Sequence, residues 1–553
     1  MNPQPAVSST AGYCMAIRGN GELQPAHWGA MASVVERLGL PDAMAGGSSA
    51  TVSMFWLDAI SIHPLIQSAD LLSQKRRASL MLKSLLGFAM KVQTTNVWKN
   101  SLQFYGEIEK AKSEGVAQRL AELVRIKNWV AANTLLNAAI DLGLLDPVSF
   151  KPLLDAVRTQ QVSKAQFYIQ QFQETLSVFG KFNAATDDNL FFRPGLISFE
   201  KAAENFGRVA HFYSAAGASA DVLDKWQKFF DTCEAKSLGL SWVGLLGAEP
   251  QCAQKFSDLF DAHFSQENQN IHLELRASGF SIPTIATTSV LVDKAAEEAQ
   301  VAIRNYQVQQ DTHYGQSFHI THPEQVRFGY WGKQADLDRI GLGLKSNLSL
   351  NSDEKSLRFL ALGPATWKTV LSLSPAEPGL SPLKPFTASN GVTYVSAGGW
   401  SDLHPITVLK SYGCQDVVYI TRRGGESLFA QGVAKRLLGF DRDWSLLSTS
   451  ASEKTDRVKR LNDEGDPSDM NSVWSRLYNL ANPKSSVKSA LMRSTAILCT
   501  DWNTFDVKTQ FVELIEDSYR SPYYVSNSKP ATPFALVNNL TPRLTAAQPG
   551  CVP

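Results

Sequence analysis

Apolar and polar positions follow two different periods along the chain, and the switches between them outline its elements. Tyr13 to Arg18 is a short apolar run that reads as a strand, and Gly19 to Gly21 punctuates it. Pro25 stands where a helix begins, Ala26 to Leu38 carries helical spacing, and Gly39 closes it. Met44 and Ala45 then lead into Gly46-Gly47-Ser48-Ser49-Ala50, after which the apolar segment Thr51 to Ile62 reads as a buried helix. The spacing predicts a β-α-β-α opening unit.

From Leu71 to about Val301 the period is mainly helical, with apolar residues three and four apart at Leu80, Leu82, Leu85, Leu86 and Met90, and again at Leu120, Leu123, Val124, Val130, Leu135 and Leu136. Strand-like runs return at Arg358 to Leu362, Val392 to Ser396, Asp416 to Thr421 and Ser494 to Thr500, with a helix such as Ser427 to Leu438 between them. Strands alternating with helices predict an α/β sheet. Ser374 to Asn390 holds four prolines, which exclude a regular helix or a central strand. The acidic run Leu461 to Met470 lacks the spacing of a calcium loop and reads as a solvated loop, and Ser526 to Pro553 reads as a surface-draped or disordered tail. No internal repeat stands out.

Composition narrows the function classes. The 553 residues carry 53 Lys and Arg against 52 Asp and Glu, a net charge of +1, which argues against general attraction to nucleic acid. No apolar run approaches the ~20 residues of a membrane span, and the first ten residues lack the pattern of a cleaved leader, so a soluble chain of open compartment is expected. The six cysteines, at 14, 233, 252, 414, 499 and 551, show no zinc spacing. A Cys233 to Cys252 bridge stays open, as do the glycosylation sequons at Asn347 and Asn539.

A serine on a tight strand-to-helix turn projects its hydroxyl clear of the sheet, and small neighbours suit such a turn. Gly46 to Ala50 has that composition, making Ser48 the candidate nucleophile, with the N-terminus of the next helix directed at the developing anion. Gly19, Asn20 and Gly21, after the first strand, are candidates for an oxyanion hole built from backbone N–H groups. Each piece alone also reads as an ordinary turn.

With Gly19-Asn20-Gly21 followed by His27-Trp28-Gly29 and then by Gly46-Gly47-Ser48-Ser49-Ala50, the sequence resembles the patatin-like phospholipase and acyl-hydrolase family. Leu23 and Gln24 replace the family's Arg-Gly, and Ala50 its last Gly. The resemblance implies a three-layer α/β/α fold, here with a large helical insertion: catalytic parts over 11–70 and 311–525, an insertion, lid or specificity region over 71–310, and a tail over 526–553. It also implies a Ser-Asp dyad that deacylates phospholipid or another acyl ester, with no metal or organic cofactor. The family's Asp-Gly-Gly motif is matched by Ala397-Gly398-Gly399, so Ala397 stands at the Asp position. Three explanations stay open: an engineered Asp→Ala exchange, Asp402 as a shifted base, or a protein without hydrolytic activity.

Other readings compete with this one. A Ser-His-Asp hydrolase would need the order Ser48, Asp402, His404, but the last two are too close on one segment to serve as separate partners. An acyltransferase would use the same Ser48, and a lipid- or protein-binding module would have kept the fold and lost the base. His27 reads as a packed helix histidine, and His319 with His322 lacks the further ligands of a metal site. Lys75-Arg76-Arg77 opens an amphipathic helix, better explained by core packing with a basic edge than by contact with a membrane surface. Phe328 to Trp331 suits either an acyl pocket or the core. The expected partner is a lipid or acyl-ester substrate, with peripheral membrane contact open, no nucleic acid and no assigned protein partner.

Overall fold

The computed structural model describes residues 12–19, 24–92, 115–141, 145–180, 198–264, 281–308, 326–347, 359–376, 381, 383–396, 398, 405–422, 496–500, 511–520 and 523–525. It opens with β1 (Cys14–Ile17), α1 (Ala26–Leu38), β2 (Ala43–Gly47) and α2 (Ala50–Ser61), the unit that the spacing predicts. There follow α3 (Pro64–Gln67), α4 (Leu71–Val92), α5 (Gly115–Arg125), α6 (Trp129–Asp141), α7 (Lys151–Arg158), α8 (Val162–Gly180), α9 (Phe199–Ser214), α10 (Ala220–Cys233), α11 (Trp242–Ala248) and α12 (Pro250–Phe264). Then come β3 (Thr284–Leu291), α13 (Asp293–Val308), β4 (Val326–Trp331), α14 (Gln334–Asn347), β5 (Phe359–Gly363), α15 (Trp367–Leu373), β6 (Lys384–Thr387) and β7 (Thr393–Ser396). The chain closes with α16 (Pro405–Tyr412), β8 (Val417–Arg422), β9 (Ala496–Thr500), α17 (Phe511–Arg520) and β10 (Tyr523–Val525).

The chain is a mixed α/β protein whose sheet is mostly parallel. Strands run in the order β10-β9-β8-β1-β2-β3-β4-β5, with β9, β8, β1, β2 and β3 mutually parallel. Side chains alternate across it. Met15, Ile17, Met44, Val418 and Ile420 share one core with Trp28, Met31 and Val35 of α1. On the other face α16 lies across β1, β2, β3 and β8, and a disulfide from Cys14 to Cys414 ties β1 to the residue two beyond that helix. Apolar residues on both faces of a strand are what a parallel sheet between two helix layers requires.

β3 falls inside the stretch 71–310 read as a helical insertion, and it is a fully buried central strand. Its run Thr284-Ile285-Ala286-Thr287-Thr288 is rich in β-branched residues, so strand propensity and burial override the helical spacing around it. β6 lies within the proline-rich segment and, among the described residues, pairs with β7 alone, so Pro385 is tolerated at an edge.

α4 is a core helix. Leu80, Leu82, Leu85 and Leu86 are buried, Arg77 pairs with Glu234 at 2.8 Å, and Lys75 donates to the Arg37 carbonyl. Lys83 is buried, paired with Glu36 and donating to the Ser237 carbonyl at 2.6 Å, while the Tyr519 hydroxyl donates to the same Glu36. These bonds join α1, α4, α17 and the turn after α10. Met90, expected on the apolar face, is half exposed.

The remaining helices divide in two. Those from α9 to α12 share the main core through Phe212, Trp226, Phe230 and Phe256, and a Cys233–Cys252 disulfide joins α10 to α12. Helices α5 to α8 bury their apolar residues in a core of their own. Contrary to the sequence reading, that second group contains an internal repeat. Lys127 and Gln160, 33 residues apart, both take the left-handed conformation at φ 56. Asn128 N–H donates to the Leu123 carbonyl at 2.8 Å and Gln161 N–H to Ala156 at 2.9 Å, the same helix-ending turn twice. Buried positions match at the same offset: Ala117 with Phe150, Leu120 with Leu153, Val124 with Val157, Ala132 with Ala165, Leu136 with Ile169, and Ala139 with Phe172. A period of 33 residues in helical hairpins is the layout of a stacked repeat. The repeat escapes a sequence scan because its few identical pairs are common core residues (Leu, Val, Ala), and because neither left-handed position carries the Gly that usually marks it.

The Ser427 to Leu438 helix, the run 461–470, the tail 526–553, His319, His322 and Asn539 lie outside the described residues. Among the described residues no helix is long and apolar enough to cross a membrane.

Candidate active site

Ser48 occupies the turn between β2 and α2 with φ 54, a left-handed backbone that costs a non-glycine residue of order 1 kcal/mol. Of the other described residues with positive φ outside glycine, Lys127, Gln160 and Ala215 end helices and Asp293 opens α13. The turn is held by its bonds. The Ser48 carbonyl accepts from the Thr51 hydroxyl at 2.7 Å and from the Thr51 N–H at 3.0 Å. The Ser48 N–H donates to the Ser374 hydroxyl at 3.0 Å. α2 starts two residues later, with its positive end next to the serine.

The pairing along β3 explains what meets Ser48. One edge of β3 is taken by β4; the other is shared end to end. β2 pairs with its first half as far as Gly47 opposite Thr287, and β7 takes over, antiparallel, with Ser396 opposite Val290. The end of β2 and the end of β7 therefore run towards each other on one edge. Ser48 follows one of them, and residues 397 and 398 follow the other.

Two residues at the end of α15 bracket this junction. The buried Ser374 hydroxyl accepts from Ser48 N–H and donates to the Thr287 carbonyl at 2.7 Å. The Leu373 carbonyl accepts from the Ser396 hydroxyl at 3.0 Å, and Ser396 also lies 3.4 Å from the Thr288 hydroxyl. The Gly398 backbone packs so closely here that a Cβ would stand 1.8 Å from the Leu373 carbonyl oxygen. Ser374 and Leu373 are thus parts of the site that carry no signature in sequence; the prolines after them mark only an irregular segment.

Gly19 is packed against the serine: a Cβ there would stand 2.7 Å from Ser48 Cβ. Arg18, between β1 and Gly19, is 2% exposed, and its backbone N–H donates to the Ile420 carbonyl at 2.9 Å, which ties the start of this loop to β8. The loop's exit is anchored as well, since Gln24 Nε2 donates to the Ser53 hydroxyl of α2 at 2.9 Å and His27 Nδ1 lies 2.9 Å from the same oxygen. His27 is fully buried on α1, bonded one turn beyond the nucleophile on α2.

The structure therefore packs Gly19 against Ser48, and the Leu373-Ser374 pair links the Ser48 turn to Ser396 and Gly398. Asn20, Gly21, Ala397, Asp402 and His404 lie outside the described residues. Phe328, Tyr330 and Trp331 are buried within β4, with Trp331 against Phe386. Among the described residues no group of three or more His, Cys, Asp and Glu side chains is placed to hold a metal ion.

Comparison with known proteins assigns no family. No family model matches the chain, and no curated protein does. The crystal structure of VipD from Legionella pneumophila overlaps it with a TM-score of 0.24 and 10% identity, over 96% of this chain and 67% of that one. An overlap that small carries no argument about fold or activity.

Proposed function

We propose that the chain is a patatin-like serine acyl hydrolase acting on lipid or other acyl-ester substrates. The observation that supports this reading is the end-to-end meeting of β2 and β7, bracketed by Ser374 and Leu373, since Ser48 follows the one strand and the Asp-Gly-Gly-like motif the other.

Chemistry follows from the parts. A carboxylate base from the segment after β7, Asp402 in this chain, takes the proton of Ser48 Oγ as that oxygen attacks the acyl carbonyl. The tetrahedral oxyanion is held by backbone N–H groups of the turn that begins at Gly19, helped by the positive end of α2. The alcohol leaves with the proton, and water, activated by the same base, releases the acyl group and restores Ser48. The left-handed turn keeps Oγ clear of the sheet, and the α2 and Ser374 bonds hold it there without reorganisation during the reaction.

Ala397 favours a second reading, a binding module that kept the fold without a base, since an alanine at that position accepts no proton. Fluorophosphonate labelling and turnover of a short-chain ester separate the two. The hydrolase reading expects labelling that Ser48→Ala abolishes, with turnover falling by ~100-fold or more in Asp402→Asn. Turnover only in Ala397→Asp assigns the missing base to 397. Absence of labelling and turnover in the parent, Ala397→Asp and Asp402→Asn proteins refutes the hydrolase.

A further inference from the structure

The two repeats of the α5 to α8 group place the same turn in solvent twice, and the two copies differ in a way that their fold does not require. In the second copy the turn reads Arg158-Thr159-Gln160-Gln161-Val162-Ser163, polar except for Val162, which packs on the α5 to α8 core. In the first it reads Arg125-Ile126-Lys127-Asn128-Trp129-Val130. Backbone geometry is shared, with φ 56 at Lys127 and at Gln160 and matching helix-ending hydrogen bonds. Thr159 therefore shows that the position of Ile126 needs no aliphatic side chain. Yet Ile126 is 54% exposed and Val130 80% exposed, although helical spacing alone placed Val130 with the buried residues.

What surrounds these side chains indicates what they meet. Arg125 and Lys127 are exposed, and among the described residues neither has an acidic partner. The nearest carboxylate along the chain, Glu122, is held by Arg119 at 2.8 Å. Trp129 is half-buried and packs on the α5 to α8 core, which fixes the turn to a rigid body. A six-residue turn with two exposed aliphatic side chains and two exposed cations is by itself too small for a stable protein interface, which needs ~800 Å² on each partner. It fits the boundary of an anionic bilayer, where aliphatic groups enter the acyl region, an indole sits at the headgroups and cations meet lipid phosphates.

We infer that the turn Arg125 to Val130 is a docking tip for anionic lipid surfaces. The inference stands apart from the activity of Ser48. It differs from the membrane contact weighed for the Lys75-Arg76-Arg77 helix, whose apolar face is spent in the core.

The full chain is tested by sedimentation with phosphatidylcholine vesicles, with and without about 30% phosphatidylserine. The expected result is binding to the anionic vesicles alone, weakened by salt and reduced tenfold or more in Ile126→Glu/Val130→Glu. Lys127→Gly, which removes a cation where the backbone favours glycine, weakens it less. Phe167→Glu, at another half-exposed apolar residue of the same helices, leaves it unchanged. Equal binding to neutral vesicles, unchanged binding in the double variant, or an equal loss in Phe167→Glu overturns the inference. A parent chain that ignores both vesicle types also overturns it and leaves the tip to a protein partner. Circular dichroism of each variant separates loss of the tip from loss of the fold.

Discussion

Helices α5 to α8 and helices α9 to α12 are neighbours along the chain, of similar length and apolar content, yet they stand in different relations to the sheet. The second group merges with the sheet's own core: Trp226 and Phe212 are fully buried in one cluster with Met15, Leu57 and Leu86. The first group keeps its buried residues to itself, in two copies of one hairpin. An apolar helix face shows that something must cover it, not what does. Large aromatics in α9 to α12 reach across to the main core, whereas the alanines, leucines and valines of α5 to α7 let short helices pack closely on their own repeat.

The comparison makes unequal demands on stability. Trp226→Ala should cost ~3–5 kcal/mol and lower the main unfolding transition together with any labelling of Ser48, whereas Leu153→Ala should affect only a separate transition of α5 to α8. Urea unfolding followed by hydrogen exchange of both regions checks this; one shared transition for both variants would break the distinction. Cys233→Ser should cost about 3 kcal/mol through the loop it opens, again in the main transition, read as a shift in the urea midpoint under oxidising conditions.

Acid should move the two regions in opposite directions. Burial holds His63 and His263 down at about 3, with Arg77 and His211 respectively adding to the shift. In the unfolded chain each titrates near 6.5, so the unfolded state binds more protons between those values. Stability from each is full above pH 6.5 and is lost towards pH 3, by up to ~1.4 kcal/mol per pH unit. Residues 115–180 hold no histidine, and burial raises the carboxyl of Asp146 above its usual value, so this group should gain stability as pH falls towards that range. Melting followed from about pH 7 down to about pH 4, for the parent and for His263→Phe, reads both signs. The smallest effect comes from the repeat itself: Lys127→Gly and Gln160→Gly should each stabilise α5 to α8 by ~1 kcal/mol, since each relieves the same left-handed residue. Unequal effects would show that the two turns are not equivalent.

Much of the fold is legible in the chain because it is local. The opening β-α-β-α unit, the helix from Ala26 to Leu38 and the strands near 359, 393, 417 and 496 follow from period, proline and glycine, which act over a few residues. Ser48 could be singled out for the same reason, since a left-handed strand-to-helix turn needs small neighbours beside it. β3 could not be told from the helical pattern around it, because a strand buried on both faces shows no alternation. The 33-residue repeat was hidden because its matched positions are common core residues.

Sequence by itself therefore determined the alternation of elements, the small-residue turns at Gly19 and Ser48, and a charge balance that favours no polyanion. Only the tertiary structure decided that β2 and β7 share an edge of β3, that Ser374, 326 residues away, receives the Ser48 N–H, that Cys14 bridges to Cys414, and that Val130 faces out. The physical reason is range. Dihedral preferences and side-chain period act between near neighbours and leave a mark in the string, whereas a strand edge, a bridge or a shared core depends on which distant surface arrives, and that is fixed only when the whole chain packs.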